Sequence, residues 1–192
     1  MQTSTFTHSP AWRRSPGCWL ICLDLQRDYV VPGRPRYAAE NAEVAAACVR
    51  VLGHARDAGW RIVHSQLRQD DGARWPRELF SAPIEGLRPL ISEPVFFRRG
   101  LSAFADPGFS SEMRTARGHE VFLVGFSLAD TCLATVMAGL DEGLSFTLLE
   151  DAVGAGATPA LASATRMVLE RFVRLASSQR IAAQGLEAEV MS

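Results

Sequence analysis

At 192 residues, with a formal net charge of −1 and 47% hydrophobic residues, the chain has the size and balance of one soluble globular domain spanning residues 1–192, with a core over about 18–180. No apolar run approaches the ~18 residues that a membrane span requires, and the first residues lack the apolar segment of a secretory leader. A cytoplasmic location with no membrane partner is the expectation. There is no block of like charges and no basic stripe interleaved with aromatics, which argues against a nucleic-acid partner. All 20 basic residues are arginine, so a mechanism that relies on a lysine ammonium is excluded. The cysteines, Cys18, Cys22, Cys48 and Cys132, show neither zinc-site pairs nor the spacing of a small disulfide scaffold.

Short aliphatic runs alternate with amphipathic stretches, the pattern of βαβ units feeding a parallel sheet. In chain order the predicted strands are CWLICLDL from Cys18, RIVHSQ from Arg61, PVFFRR from Pro94, VFLVGF from Val121, SFTLLED from Ser145 and VRLAS from Val173. Most are almost continuously apolar, as strands covered on both faces are. Between them, Glu40 to Ala58 reads as a helix closed by Gly59. A second helix is predicted from Ala129 to Glu142, and a third from Pro159 to Arg171 with Thr158 as its N-cap. Arg68 to Glu93, broken by Gly72, Pro76, Pro83, Gly86 and Pro89, has no period and reads as a long loop.

Ligands of an open parallel sheet bind outside the carboxyl ends of its strands. The polar residues there are Asp24, Gln26 and Asp28 after the first strand, His64 and Gln66 on the second, Arg98 and Arg99 after the third, and Ser127 to Cys132 after the fourth. A buried carboxyl such as Asp24 is costly when charged. It either caps a turn or works as a general acid or base in a cleft.

The run LDLQRDY resembles the opening motif of the isochorismatase-like hydrolases, an apolar strand followed by Asp-x-Gln-x-Asp-aromatic. RRGLSAF at Arg98 to Phe104, GFSLADTCLAT from Gly125 and LSFTLLEDA follow in the family's order. The resemblance implies a Rossmann-like three-layer α/β/α fold, with a mostly parallel six-stranded sheet in the order 3-2-1-4-5-6. It also implies a homo-oligomer, a small-molecule substrate, and a cis peptide between Phe126 and Ser127.

Cysteine hydrolases of this family cleave amides with an Asp, a Lys and a Cys. Here Asp24 matches the acid, Arg98 stands at the lysine position, and Thr131 stands six residues after the glycine, where the family has its cysteine. Cys132 comes one residue later. A one-residue step is about 100° around a helix, so the thiol packs away from the site unless a local bulge brings it round. The family's isochorismatase branch dispenses with the thiol and carries a Gln where Gln66 stands. The expected catalytic residues are therefore Asp24, Arg98, Thr131 and Cys132, with Gln26, Gln66, Phe126 and Ser127 binding substrate. No cofactor and no metal are expected, since the His spacing of metal-containing nicotinamidases is missing. Arg74, Arg77 and Arg88 sit where a loop could offer guanidinium to an anion. Three readings stay open: Asp-centred hydrolysis of a small anionic metabolite, a cysteine amidase using Cys132, and an inactive homologue that only binds.

Overall fold

A computed structural model of the chain describes residues 17–68, 82–156, 158–179 and 181. Six strands, β1 (Cys18–Leu23), β2 (Arg61–Leu67), β3 (Val95–Arg98), β4 (Glu120–Gly125), β5 (Ser145–Val153) and β6 (Arg174–Ala176), form one sheet in the order β3-β2-β1-β4-β5-β6. Every neighbouring pair is parallel. The strand that leads into Asp24 is thus central, at the point where the strand order reverses.

The alternation of side chains along β1 divides the core. Leu20 and Cys22 face the layer of α1 (Asn41–Asp57), which contributes Ala45, Cys48, Val51, Leu52 and Ala55. Trp19, Ile21 and Leu23 face the opposite layer, made by α2 (Pro107–Met113), α3 (Leu133–Asp141) and α4 (Pro159–Leu169) through Phe109, Met113, Val136 and Leu169. Both faces of β1 are covered, hence its nearly unbroken apolar sequence. No helix among the described residues is long and apolar enough to cross a membrane.

Differences from the sequence reading are local. Helix α2 was not foreseen, although Asp106 caps it by accepting from the Phe109 amide at 2.9 Å and Pro107 occupies its first turn, both recognisable start signals. The expected helix from Ala129 is instead a π-helical turn, Leu128–Cys132, leading into α3. Strand β5 slips register against β4 between Leu123 and Gly125. Asp151, in that stretch, accepts from the amide and hydroxyl of Ser178 at 2.7 and 2.5 Å, so it anchors the chain after β6. Gly125 has φ 123° and runs so close to β1 that a Cβ would collide with the Leu23 carbonyl.

The described end of the long loop is tied down twice. Residues 82–84 lie alongside the chain after Asp24 through Arg27 N to Ala82 O (2.9 Å) and Ile84 N to Leu25 O (3.0 Å). Farther on, the Glu93 carboxylate accepts from Arg56 Nε and Nη2 (2.8 and 2.9 Å) and from the Leu90 amide (2.9 Å), and it meets His64 Nε2 at 3.0 Å. Burial alone raises the Glu93 pKa. Its hydrogen bonds with Arg56, Leu90 and His64, together with the Arg56 charge, outweigh that and bring it from 4.5 down to about 2. A depressed carboxylate adds stability that is complete above its unfolded pKa and lost as pH falls through the folded one. Glu93→Gln should therefore cost about 2 kcal/mol at pH 7, discounted for the partial exposure of Arg56. The gap to wild type in urea unfolding should close between pH 4.5 and 2; a gap that stays constant with pH would refute the ionic origin.

Candidate active site

Asp24 follows the last residue of β1 with φ 49°, a left-handed conformation that Asp tolerates better than most side chains. Strict alternation would aim its carboxylate with Cys22 toward α1. The turned backbone, held by Asp24 N to Ser65 O at 2.9 Å, aims it instead at Arg98, which projects from β3 on the same face as Phe96.

Arg98 Nη1 donates to Asp24 Oδ1 at 2.9 Å and Arg98 Nη2 to Oδ2 at 2.5 Å, with both side chains wholly buried. This two-point geometry is the strong form of a charge-assisted pair. The remaining donors of Arg98 are also used: Nη1 reaches Ser65 Oγ (3.1 Å), Nη2 reaches Thr131 Oγ1 (3.1 Å), and Nε reaches the Leu101 carbonyl (3.2 Å). Asp24 receives further donors from the Leu67 amide (2.8 Å), the Thr131 hydroxyl (3.3 Å) and the Tyr29 hydroxyl (3.5 Å). Each of these partners donates, the pattern of an ionised carboxylate. The guanidinium is saturated within the protein and bridges Asp24 and Thr131.

Thr131 and Cys132 both lie in the π-helical turn, closed by Cys132 N to Ser127 O at 3.0 Å. The bulge is present, yet the Thr131 hydroxyl is the group at Asp24. The Cys132 thiol is buried in the apolar cluster of Ile21, Leu23 and Val136. Burial, then the negative charge of Asp24, push its pKa well above the ordinary 9.0. A thiol so placed is a poor source of thiolate.

Phe126 and Ser127 precede this turn, and the peptide between them is cis. Phe126 is fully buried and stacks on Tyr29 with ring centroids 4.8 Å apart, while Ser127 Oγ donates to Asp130 Oδ2 at 2.7 Å. Gln26 is buried beside Asp24, and its backbone bridges to Pro83. Gln66 is buried too, but along β2 it alternates with Ser65 and so points to the face opposite Arg98. His64 serves Glu93. Arg88 is exposed, and its carbonyl accepts from Arg56; Arg74 and Arg77 lie outside the described residues. Among the described residues, no three His, Cys, Asp or Glu side chains gather as metal ligands do.

Sequence reading missed Tyr29, Ser65 and the Leu101 carbonyl. Tyr29 was visible as the aromatic of the opening motif, and Ser65 as the strand neighbour sharing a face with Leu67. Nothing local marks Leu101, whose carbonyl is set by the turn after β3.

Comparison with known proteins places this geometry in context. A maleamate amidohydrolase from Pseudomonas putida is 24% identical over 151 residues, covering 70% of this chain and 71% of that protein. The crystal structure of an isochorismatase from Pseudomonas putida superposes with a TM-score of 0.75 at 25% identity, covering 90% of this chain and 93% of the other. A cysteine hydrolase from Pseudomonas syringae pv. phaseolicola shares the fold, with a TM-score of 0.76, 16% identity and coverage of 95% and 99%. The isochorismatase domain matches residues 18–180, and with the Asp24 strand, the six-stranded order and the turn after Gly125 all in place, the chain belongs to the isochorismatase family of hydrolases.

Proposed function

We propose that this family member hydrolyses a small, anionic metabolite at an acyl centre, with Asp24 as the proton acceptor. The carrying observation is the buried Asp24–Arg98 pair with the Thr131 hydroxyl hydrogen-bonded to both partners. The carboxylate of Asp24 draws the proton from Thr131 Oγ1 as that oxygen attacks the substrate carbonyl, and Arg98 Nη2 steadies the negative charge that gathers on the oxygen. The leaving amine takes the proton back from Asp24. A water then cleaves the acyl ester by the same exchange, returning the Thr131 hydroxyl.

The donor-only surroundings of Asp24 favour this base over the proton donor that enol-ether cleavage needs. The core position of Cys132 likewise favours Thr131 over a thiol nucleophile. The relative named for maleamate, an amide that carries a carboxylate, supports an anionic amide as the substrate class. Self-association is part of the proposal, supported by Leu161, Met167 and Val168, all left exposed on α4.

The test is a panel of short half-amides and their esters. Thr131→Val should lower kcat/KM about 10²-fold or more, while iodoacetamide and Cys132→Ala leave turnover unchanged. Thr131→Cys should make the enzyme sensitive to alkylation. Turnover that survives Thr131→Val within about threefold removes Thr131 from the mechanism, and no wild-type turnover on the whole panel favours a binding protein.

A further inference from the structure

Since Arg98 has no donor to spare, the charge of an anionic substrate must be met by another cation. Arg34 lies near the site but is paired with Asp28 at 2.6 Å. Arg36 differs. It is half-buried, donates from Nη1 to the Tyr29 hydroxyl at 3.1 Å, and places its guanidinium carbon 5.5 Å from the centre of the Tyr29 ring. Among the described residues it has no acidic partner.

Arg36 is also held in a rigid setting. Tyr29 stacks on Phe126, its carbonyl accepts from Asn41 Nδ2 at 2.9 Å, and its hydroxyl bridges Arg36 to Asp24 Oδ2. The layered rings and the bridging hydroxyl fix a guanidinium two hydrogen bonds from the carboxylate that serves the reaction. Little ordering remains to be done when a ligand arrives. Other described arginines at this end of the sheet, Arg27, Arg68 and Arg99, are exposed.

We infer that Arg36 is the specificity residue of the site: it takes the carboxylate of the substrate while the carbonyl sits at Thr131. The inference rests on the hydrolase reading above and narrows its substrate to short chains with a carboxylate a few bonds from the scissile amide. A guanidinium with free donors suits this task, because its planar fork matches a carboxylate at two points.

Binding tests this separately from turnover. Isothermal titration with succinate, which the enzyme cannot hydrolyse, and with neutral succinamide should show succinate as the tighter ligand of wild type. Arg36→Gln should weaken succinate at least tenfold and change succinamide less than twofold; Arg36→Lys should restore part of the loss. Added salt should weaken succinate alone. The inference is overturned if wild type binds succinate no better than succinamide, or if Arg36→Gln keeps succinate within twofold. A Thr131→Val enzyme that still turns over the half-amides would defeat the nucleophile assignment and leave the titration result standing, so the two failures are distinguishable.

Discussion

Arg98→Met should destabilise the protein by about 3–5 kcal/mol, because it leaves the Asp24 carboxylate buried without its counter-charge. The side chain of Asp24 has no exposed surface, so water cannot replace what the guanidinium supplied. The loss extends past the pair itself: the Leu101 carbonyl, Ser65 Oγ and Thr131 Oγ1 each lose a donor. Methionine fills a similar volume, so the cavity contribution is small. Asp24→Asn combined with Arg98→Met removes both charges and should recover part of the loss, which gives the coupling from a double-mutant cycle. Arg98→Lys keeps the positive charge but offers three donors from one point. It cannot serve both Asp24 oxygens, Ser65, Thr131 and Leu101 at once, and should cost about 1–2 kcal/mol. Urea unfolding at pH 7 measures all three. An Arg98→Met protein within about 1 kcal/mol of wild type would show that Asp24 is neutral in the fold or that water reaches it.

Much of the frame was legible because burial on both faces forces aliphatic runs, and such runs are hard to hide in a sequence. The six strands fall within the predicted segments or a residue or two of them, and α1 at Asn41–Asp57 nearly fills the predicted Glu40 to Ala58. Asp24 stood out as a carboxyl ending an apolar strand. Its partner was readable only through the family resemblance, since Asp24 and Arg98 meet through the β1–β2–β3 ladder and not through local spacing. The choice between Thr131 and Cys132 was open for a physical reason. One step around a helix separates them, and the π-helical turn that sets their directions depends on the contact of Leu128 N with Gly154 O at 2.8 Å from β5's far end. The opposite orientation of Gln66 follows from the strict alternation of β2, which a motif match does not consult. Helix α2 escaped because its seven residues, PGFSSEM, hold too few turns to show a period.

Asp24→Asn should lower kcat/KM on the identified substrate by at least about 10³-fold, a loss of about 4 kcal/mol of transition-state stabilisation. The amide keeps the shape, and Asn accepts the left-handed backbone of position 24 as readily as Asp, so the turn after β1 survives. What changes is the hydrogen-bond polarity. An amide has one accepting edge, whereas Oδ1 now accepts from Leu67 N and Arg98 Nη1, and Oδ2 from Arg98 Nη2, Thr131 and Tyr29. Either orientation of Asn sets its NH2 against at least one N–H of Arg98. If the NH2 takes the Oδ2 side, it can donate to Thr131 Oγ1 but cannot receive the proton that nucleophilic attack must release. If it takes the Oδ1 side, the oxygen facing Thr131 is that of a neutral amide, a far weaker base than a carboxylate. Both arrangements stop the proton transfer, so the effect should be comparable with that of Thr131→Val, since base and nucleophile act as one unit. The variant will also be less stable, since the Arg98 charge is left uncompensated, so activity must be scaled to the folded fraction measured by unfolding under the assay conditions. A value of kcat/KM within about threefold of wild type, worth only ~0.65 kcal/mol, would eliminate Asp24 as the proton acceptor and with it the proposed chemistry.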